Sequence, residues 1–200
     1  MMIVQKLHQL FRPGFTIIEL LVVIVIIAIL ASLTLVGYGA VTKDAYNTQV
    51  IAGVAQYKDT IEAYKAYFRK YPPTTREIAE EQIALACLGD GYPADYCGKV
   101  TGVDTYEDPG FNTELAKIGQ GGAISIEKLA VNGESFVGAV YGIDRTTGDR
   151  SSTNWARTIQ YALKGKNADC KVEGAYSYAL QENPPMTACE IILEEVPSRD

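Results

Sequence analysis

Few side chains in this sequence could do chemistry, and Glu19 stands out among them. It is the one carboxylate in the apolar run FTIIELLVVIVIIAILASLTLV, residues 15–36, and no charged residue follows it until Lys43. An ionised acid in a membrane helix costs on the order of 2.5–3.5 kcal/mol at mid-bilayer, and less near an end. Glu19 therefore needs either the headgroup interface or a cation. Catalytic chemistry is poorly supplied. The single histidine, His8, lies ahead of the apolar run. Everything after it lacks the base of a Ser-His-Asp or Cys-His site and the usual ligand of most zinc sites. Gly119-Gln-Gly-Gly122 has no following Lys-Ser/Thr and is not a phosphate loop. The acidic pairs Glu80-Glu81, Glu107-Asp108 and Glu194-Glu195 show no apolar setting that would raise a carboxyl pKa. Asp104, Glu107 and Asp108 in one loop, or Asp144 and Asp149 in another, offer oxygen ligands of the kind calcium takes. Neither has EF-hand spacing, so no metal is expected, and the first three are the weak candidates. The sequence predicts no enzyme and no cofactor.

The element that holds Glu19 is the apolar run. It is long enough to span a bilayer as a helix, which takes about 20 residues at roughly 1.5 Å each. Its β-branched residues from Val22 to Ile27 would favour a strand in water. In lipid a lone strand leaves its backbone unsatisfied, so a helix is predicted. Ahead of it, residues 1–14 carry Lys6 and Arg12, no acid, and end in Pro13-Gly14 directly before Phe15. A secretory signal has the reverse order, with its cleavage site after the apolar region. A basic leader followed by an uncharged helix predicts the N-terminus in the cytoplasm and the remainder outside.

At these residues the chain resembles the type IV prepilins and the related pseudopilins. The matching stretch is Arg12-Pro-Gly14 followed by Phe15-Thr-Ile-Ile-Glu19-Leu-Leu. The resemblance implies that a prepilin peptidase cuts after Gly14 and N-methylates Phe15, and that Glu19 is the family's fifth-position glutamate. Cutting there would create an α-amino cation at Phe15, four residues from Glu19 and able to pair with it in the same or a neighbouring subunit. In an apolar filament core an opposite charge offsets much of the cost of a buried carboxylate. A subunit out of register would leave Glu19 unpaired, so Phe15 and Glu19 read as an assembly device. The partners implied are other pilin subunits in a homopolymer, the peptidase, an assembly ATPase and a platform protein. The implied location is the cytoplasmic membrane for a single-pass precursor, then an extracellular pilus filament serving adhesion, motility or DNA uptake. A minor pilin or pseudopilin of a type II secretion or DNA-uptake system is the alternative, and a signal-anchored monomeric ectodomain a second.

The expected division is a leader over 1–14, a long helix over 15–71 with its transmembrane segment at 15–36, and a globular head over 72–200. From residue 43 to 71, Tyr46, Val50, Val54, Tyr57, Ile61, Tyr64 and Phe68 recur at helical spacing, an apolar stripe suited to packing on a sheet. Gly37 and Gly39 mark a plausible bend, and Tyr71-Pro72-Pro73 ends the helix. Thr74-x-x-Glu77 resembles a capping box and predicts a short helix over 75–88. Residues 98–122 read as an irregular connection with a helical turn at 113–118. The sheet is expected from about residue 123, with Asn132-Gly133 as a hairpin turn. Further strands are expected over 155–163, where Trp155, Ile159, Tyr161 and Leu163 can share one face although Arg157 interrupts the alternation, and over 190–196. The sum is an α+β class, a long helix packed on about four antiparallel strands, as in the pilin fold.

The four cysteines, Cys87, Cys97, Cys170 and Cys189, all fall in the presumed exterior part, where two disulfides are expected. Three connectivities are possible. Cys87–Cys97 and Cys170–Cys189 each close a short loop containing turn residues and are preferred. Net charge is −6, and losing Lys6 and Arg12 with a leader would take 18 basic side chains to 16 against 24 acidic, or −8. That balance argues against a generic grip on nucleic acid. The small cluster Lys164, Lys166 and Lys171 reads as a solvated turn, and no nucleic-acid site is expected.

Overall fold

The computed structural model describes residues 16–79, 83–100, 102–119, 128–131, 134–145 and 155–196, without side chains at 33–38, 128, 131, 134 and 145. The chain divides into two compact units, Met1–Val41 and Thr42–Asp200. One helix, α1 (Ile17–Phe68), contributes to both. Its backbone stays helical through Gly37 and Gly39, so the bend expected there is not a break.

In the first unit every described side chain of α1 up to residue 32 is exposed, from Ile17 at 86% to Val23 at 44%. Among the described residues no helix is long and apolar enough to cross a membrane. The expected segment, 15–36, lies partly outside them: Phe15 is not described, and neither are the side chains from 33 to 36.

In the second unit α1 is amphipathic, and its stripe is covered. Tyr46, Val50, Val54, Tyr57 and Ile61 join one core with Leu85, Val140, Tyr141, Ile159, Tyr161, Leu163 and Ile191. Tyr64 is buried too, and Phe68 is half-buried. Asn47 ties the helix to the sheet by mimicking a strand: its Nδ2 donates to the Lys164 carbonyl and its Oδ1 accepts from the Lys164 amide, both at 2.8 Å. The helix stops at Phe68 because Arg69 turns to φ 60°, and Pro72 and Pro73 cannot continue it.

The described strands form two antiparallel sheets. They are β1 (Ala84–Leu88), β2 (Tyr96–Val100), β3 (Val103–Tyr106), β4 (Lys128–Val131), β5 (Glu134–Val137), β6 (Ala139–Arg145), β7 (Trp155–Lys164), β8 (Ala175–Glu182) and β9 (Pro185–Val196). One sheet runs β1-β6-β7-β9-β8, the other β3-β2-β5-β4. Two glycines let strands approach where a side chain could not fit. At Gly142 (φ 148°) a Cβ would lie 1.8 Å from the Ala84 carbonyl oxygen, and at Gly98 (φ 151°) 2.0 Å from that of Ser135. The α+β class therefore holds, with a larger head than the expected four strands.

Several local expectations are corrected. Only Thr75–Ile78 is helical (α2), and the run from Ala84 to Leu88 is strand β1. A short continuous apolar run does not reveal its own periodicity. Pairing along β6 and burial of all five residues decide it. The connection over 98–122 holds β2, β3 and a helix, α3 (Pro109–Leu115), so the sheets begin well before residue 123. The expected hairpin appears as Val131 opposite Glu134, with Asn132-Gly133 outside the described residues. The loop expected between Cys170 and Cys189 contains β8. Trp155 packs with Ala84 and Ile143 in a small separate cluster, away from Ile159, Tyr161 and Leu163.

Candidate assembly site

Thr16 and Glu19 close a reciprocal cap on the start of α1. The Glu19 amide donates to Thr16 Oγ1 at 3.2 Å, while Glu19 Oε2 accepts from the Thr16 amide at 2.9 Å and its hydroxyl at 2.8 Å. Donors at a helix start have no partner within the helix, and a T-x-x-E box satisfies two of them. A carboxylate is also favoured there by the helix dipole. Reading Glu19 only as a lone charge misses this role, although Thr16-x-x-Glu19 was legible in the sequence. Both Thr16 bonds fall on Oε2, so Oε1 has no partner among the described residues. Around the carboxylate the surface is greasy on every side: Ile17, Ile18, Leu20 and Leu21 are 86, 75, 59 and 54% exposed. Gly14 and Phe15, the expected cleavage and modification residues, lie outside the described residues.

The other candidates sit in the second unit and are structural in setting. Cys87 is bonded to Cys97, joining β1 of one sheet to β2 of the other, and Cys170 is bonded to Cys189 in β9. No cysteine is free. The three weak metal candidates are each engaged by protein donors. Asp108 caps α3, with Oδ1 accepting from the Phe111 amide at 2.9 Å and the Thr75 hydroxyl at 2.6 Å. Glu107 accepts from the Tyr92 amide, and Asp104 from the Tyr96 hydroxyl. Among the described residues no three ligand side chains are grouped for a metal. Asp149 lies outside those residues, and Asp144 is buried, accepting from Gln160. The lysine cluster is laced with acid and aromatic contacts. Lys166 pairs with Glu182, and Lys164 Nζ lies 4.7 Å from the Tyr46 ring centre. Asp44 and Asp169 line the same groove.

The residue that sequence reasoning passed over is Arg157. It is 6% exposed, and both its terminal nitrogens reach Glu77 at 2.8 Å in a fork-to-fork pair. Burial pulls its pKa down, but the bonds from Glu77 and the contact with Tyr141 more than offset that, and the net direction is up. The expected capping box at 74–77 is thus half present. Thr74 Oγ1 accepts from the Glu77 amide at 3.1 Å, while the Glu77 carboxylate serves Arg157. The only available signal was the odd charge in β7, and its partner is 80 residues away.

Residues 12–35 match the family described as the prokaryotic N-terminal methylation motif. That motif is the class III leader of type IV pilins, and its presence supports a type IV pilin-like protein. The leader implies processing by a prepilin peptidase, fits a membrane-anchored precursor, and points to a structural rather than an enzymatic protein. No curated protein and no solved structure matches the chain.

Proposed function

We propose that the chain is the structural subunit of a type IV pilus, cut after Gly14, N-methylated at Phe15, and polymerised through the first half of α1. The observation that carries this reading is an apolar helical surface exposed on all sides from Ile17 to Leu30, broken only by Glu19. Such a surface needs lipid or like helices around it. Before assembly it rests in the cytoplasmic membrane. In the filament it is covered by neighbouring copies, with the heads outside. Glu19 Oε1, without a partner among the described residues, takes the Phe15 amine of its own or the next subunit, while Oε2 keeps the helix cap. A misregistered subunit buries that carboxylate unpaired, which is strongly disfavoured.

The test is mass spectrometry of the N-terminal peptide from surface-sheared filaments. Abundant chains beginning at N-methylated Phe15 are expected. Glu19→Ala should cut incorporation at least tenfold and leave the membrane pool unchanged. Processed chains held in membranes and absent from sheared material would move the assignment to a minor pilin or pseudopilin. Chains that keep residues 1–14 would overturn the pilin reading, and normal assembly of Glu19→Ala would overturn the role given to the carboxylate.

A further inference from the structure

At the C-terminal end of α1 a pocket of about 300 Å³ opens between the last helical turn, the Tyr71–Pro73 turn, β7 and β9. Lys65, Arg69, Lys70 and Arg157 line it against two acids, Glu77 and Glu194. This is an excess of positive charge on a chain whose net charge is −6. Cations at a helix C-terminus are ordinary, because they complement the dipole. That accounts for Lys65, Arg69 and Lys70. It does not account for Arg157.

Arg157 is buried with its Nη1 and Nη2 occupied by Glu77 and Tyr141, yet its Nε–H has no hydrogen-bond partner among the described residues. The nearest carboxylate oxygen, Glu194 Oε2, is 4.0 Å away, too far for a hydrogen bond. A buried charged donor left unmade is costly, so such groups generally find an acceptor. The surroundings are built to hold cations close together. Lys65 Nζ lies 4.2 Å from the centre of the Tyr71 ring, and the Arg157 guanidinium 5.3 Å from the same centre. The Tyr71 hydroxyl donates to the Leu193 carbonyl at 2.9 Å and fixes that ring in place. Glu194 also stands 3.8 Å from Lys65 Nζ, and it is 41% exposed, a counterion free to swing away. Arg69, turned outward at φ 60° with its amide bonded to the Lys65 carbonyl at 2.8 Å, has no acidic partner among the described residues.

We propose that this pocket binds a small oxyanion, a phosphate- or carboxylate-type group, that accepts from Arg157 Nε–H and displaces Glu194 from Lys65, with Arg69 and Lys70 closing the rim. The volume is at the lower end for ligand pockets and suits a single charged group. The site belongs to the second unit alone and stands whether or not the chain polymerises.

The experiment uses the full chain in detergent micelles with labelled arginine side chains, following the Nε–H resonance of Arg157, identified by its loss in Arg157→Lys. Sodium phosphate and sodium acetate are titrated separately against sodium chloride at matched ionic strength. A saturable shift with half-saturation on the order of millimolar is expected for at least one oxyanion, and the stronger arm identifies the class. Arg69→Gln combined with Lys70→Gln, both on exposed positions, should weaken it at least fivefold while the chain stays folded in chloride, the lost dipole complement lowering the unfolding midpoint only slightly. No shift beyond the chloride control, or an equal shift in the double variant, overturns the proposal.

Discussion

Ile24 and Ile61 are the same residue in the same helix, and they live in different worlds. Ile24 is 56% exposed and Ile61 is 0% exposed. The difference lies in how apolar residues are distributed around the helix. Over 17–32 they occupy every face, so no single sheet could cover them. Over 46–64 they keep to one stripe, and the sheet containing β1, β6, β7 and β9 covers it. The first pattern leaves its surface for lipid or other chains, the second satisfies its own within the chain. The same contrast holds for charge. Among the described residues Glu19 keeps one oxygen unengaged in an exposed apolar setting, whereas the buried Arg157 is bound bidentately by Glu77.

The largest effect on folding should come from the covered half. Ile61→Ala removes a fully buried side chain and is expected to cost about 4 kcal/mol, lowering the head's unfolding midpoint by roughly 10 °C. Ile24→Ala should leave that midpoint within about 1 °C, since surface changes are worth roughly 0.5 kcal/mol or less, and should instead lower incorporation into filaments. Equal thermal shifts for the two variants would erase the contrast between the halves. Next in size, Glu77→Ala leaves Arg157 buried without its partner and should cost about 3 kcal/mol in chemical denaturation. Adding Arg157→Met to Glu77→Ala should recover most of that loss, and failure to recover would mean that Glu77 acts through α2 rather than through the pair.

A smaller effect, absent at neutral pH, concerns the tyrosines under the stripe. Burial, with Asp90 nearby, pushes Tyr57 up to about 12, and burial likewise raises Tyr92, Tyr141 and Tyr161. Their folded-state pKa values exceed the unfolded value of 10, so their contribution is fully present below pH 10 and is lost as pH rises through the folded pKa. The head should therefore unfold more readily from about pH 10 towards 12, with phenolate absorbance appearing together with loss of structure. Tyr57→Phe should soften that decline. Phenolate appearing well below pH 10 before any unfolding would show that these rings are open to water.

Much of the helix was legible in residue order. An apolar run, a carboxylate at its start, a stripe at spacings of three and four, and a double proline are local signals, and each left its mark in α1 and its end. The Thr16 cap on Glu19 was equally local and was there to be read. The head was harder for a physical reason. Ala84-Leu-Ala-Cys-Leu88 carries no periodicity that separates helix from strand, and β6, more than 50 residues later, supplies the pairing that makes it β1. The connection after Gly98 became β2 and β3 for the same reason.

The sequence by itself determined the leader motif at 12–35, the placing of one carboxylate in an apolar helix, and the change from an all-round greasy surface to a one-sided stripe. These depend on neighbours within a turn or two. Only the tertiary structure decided that the described strands of the head form two sheets, that one disulfide crosslinks them, and that a lone arginine in a strand is answered by Glu77 and lines a basic pocket. Strand partners and buried charge pairs are chosen across tens of residues, by what the folded core brings within hydrogen-bond reach.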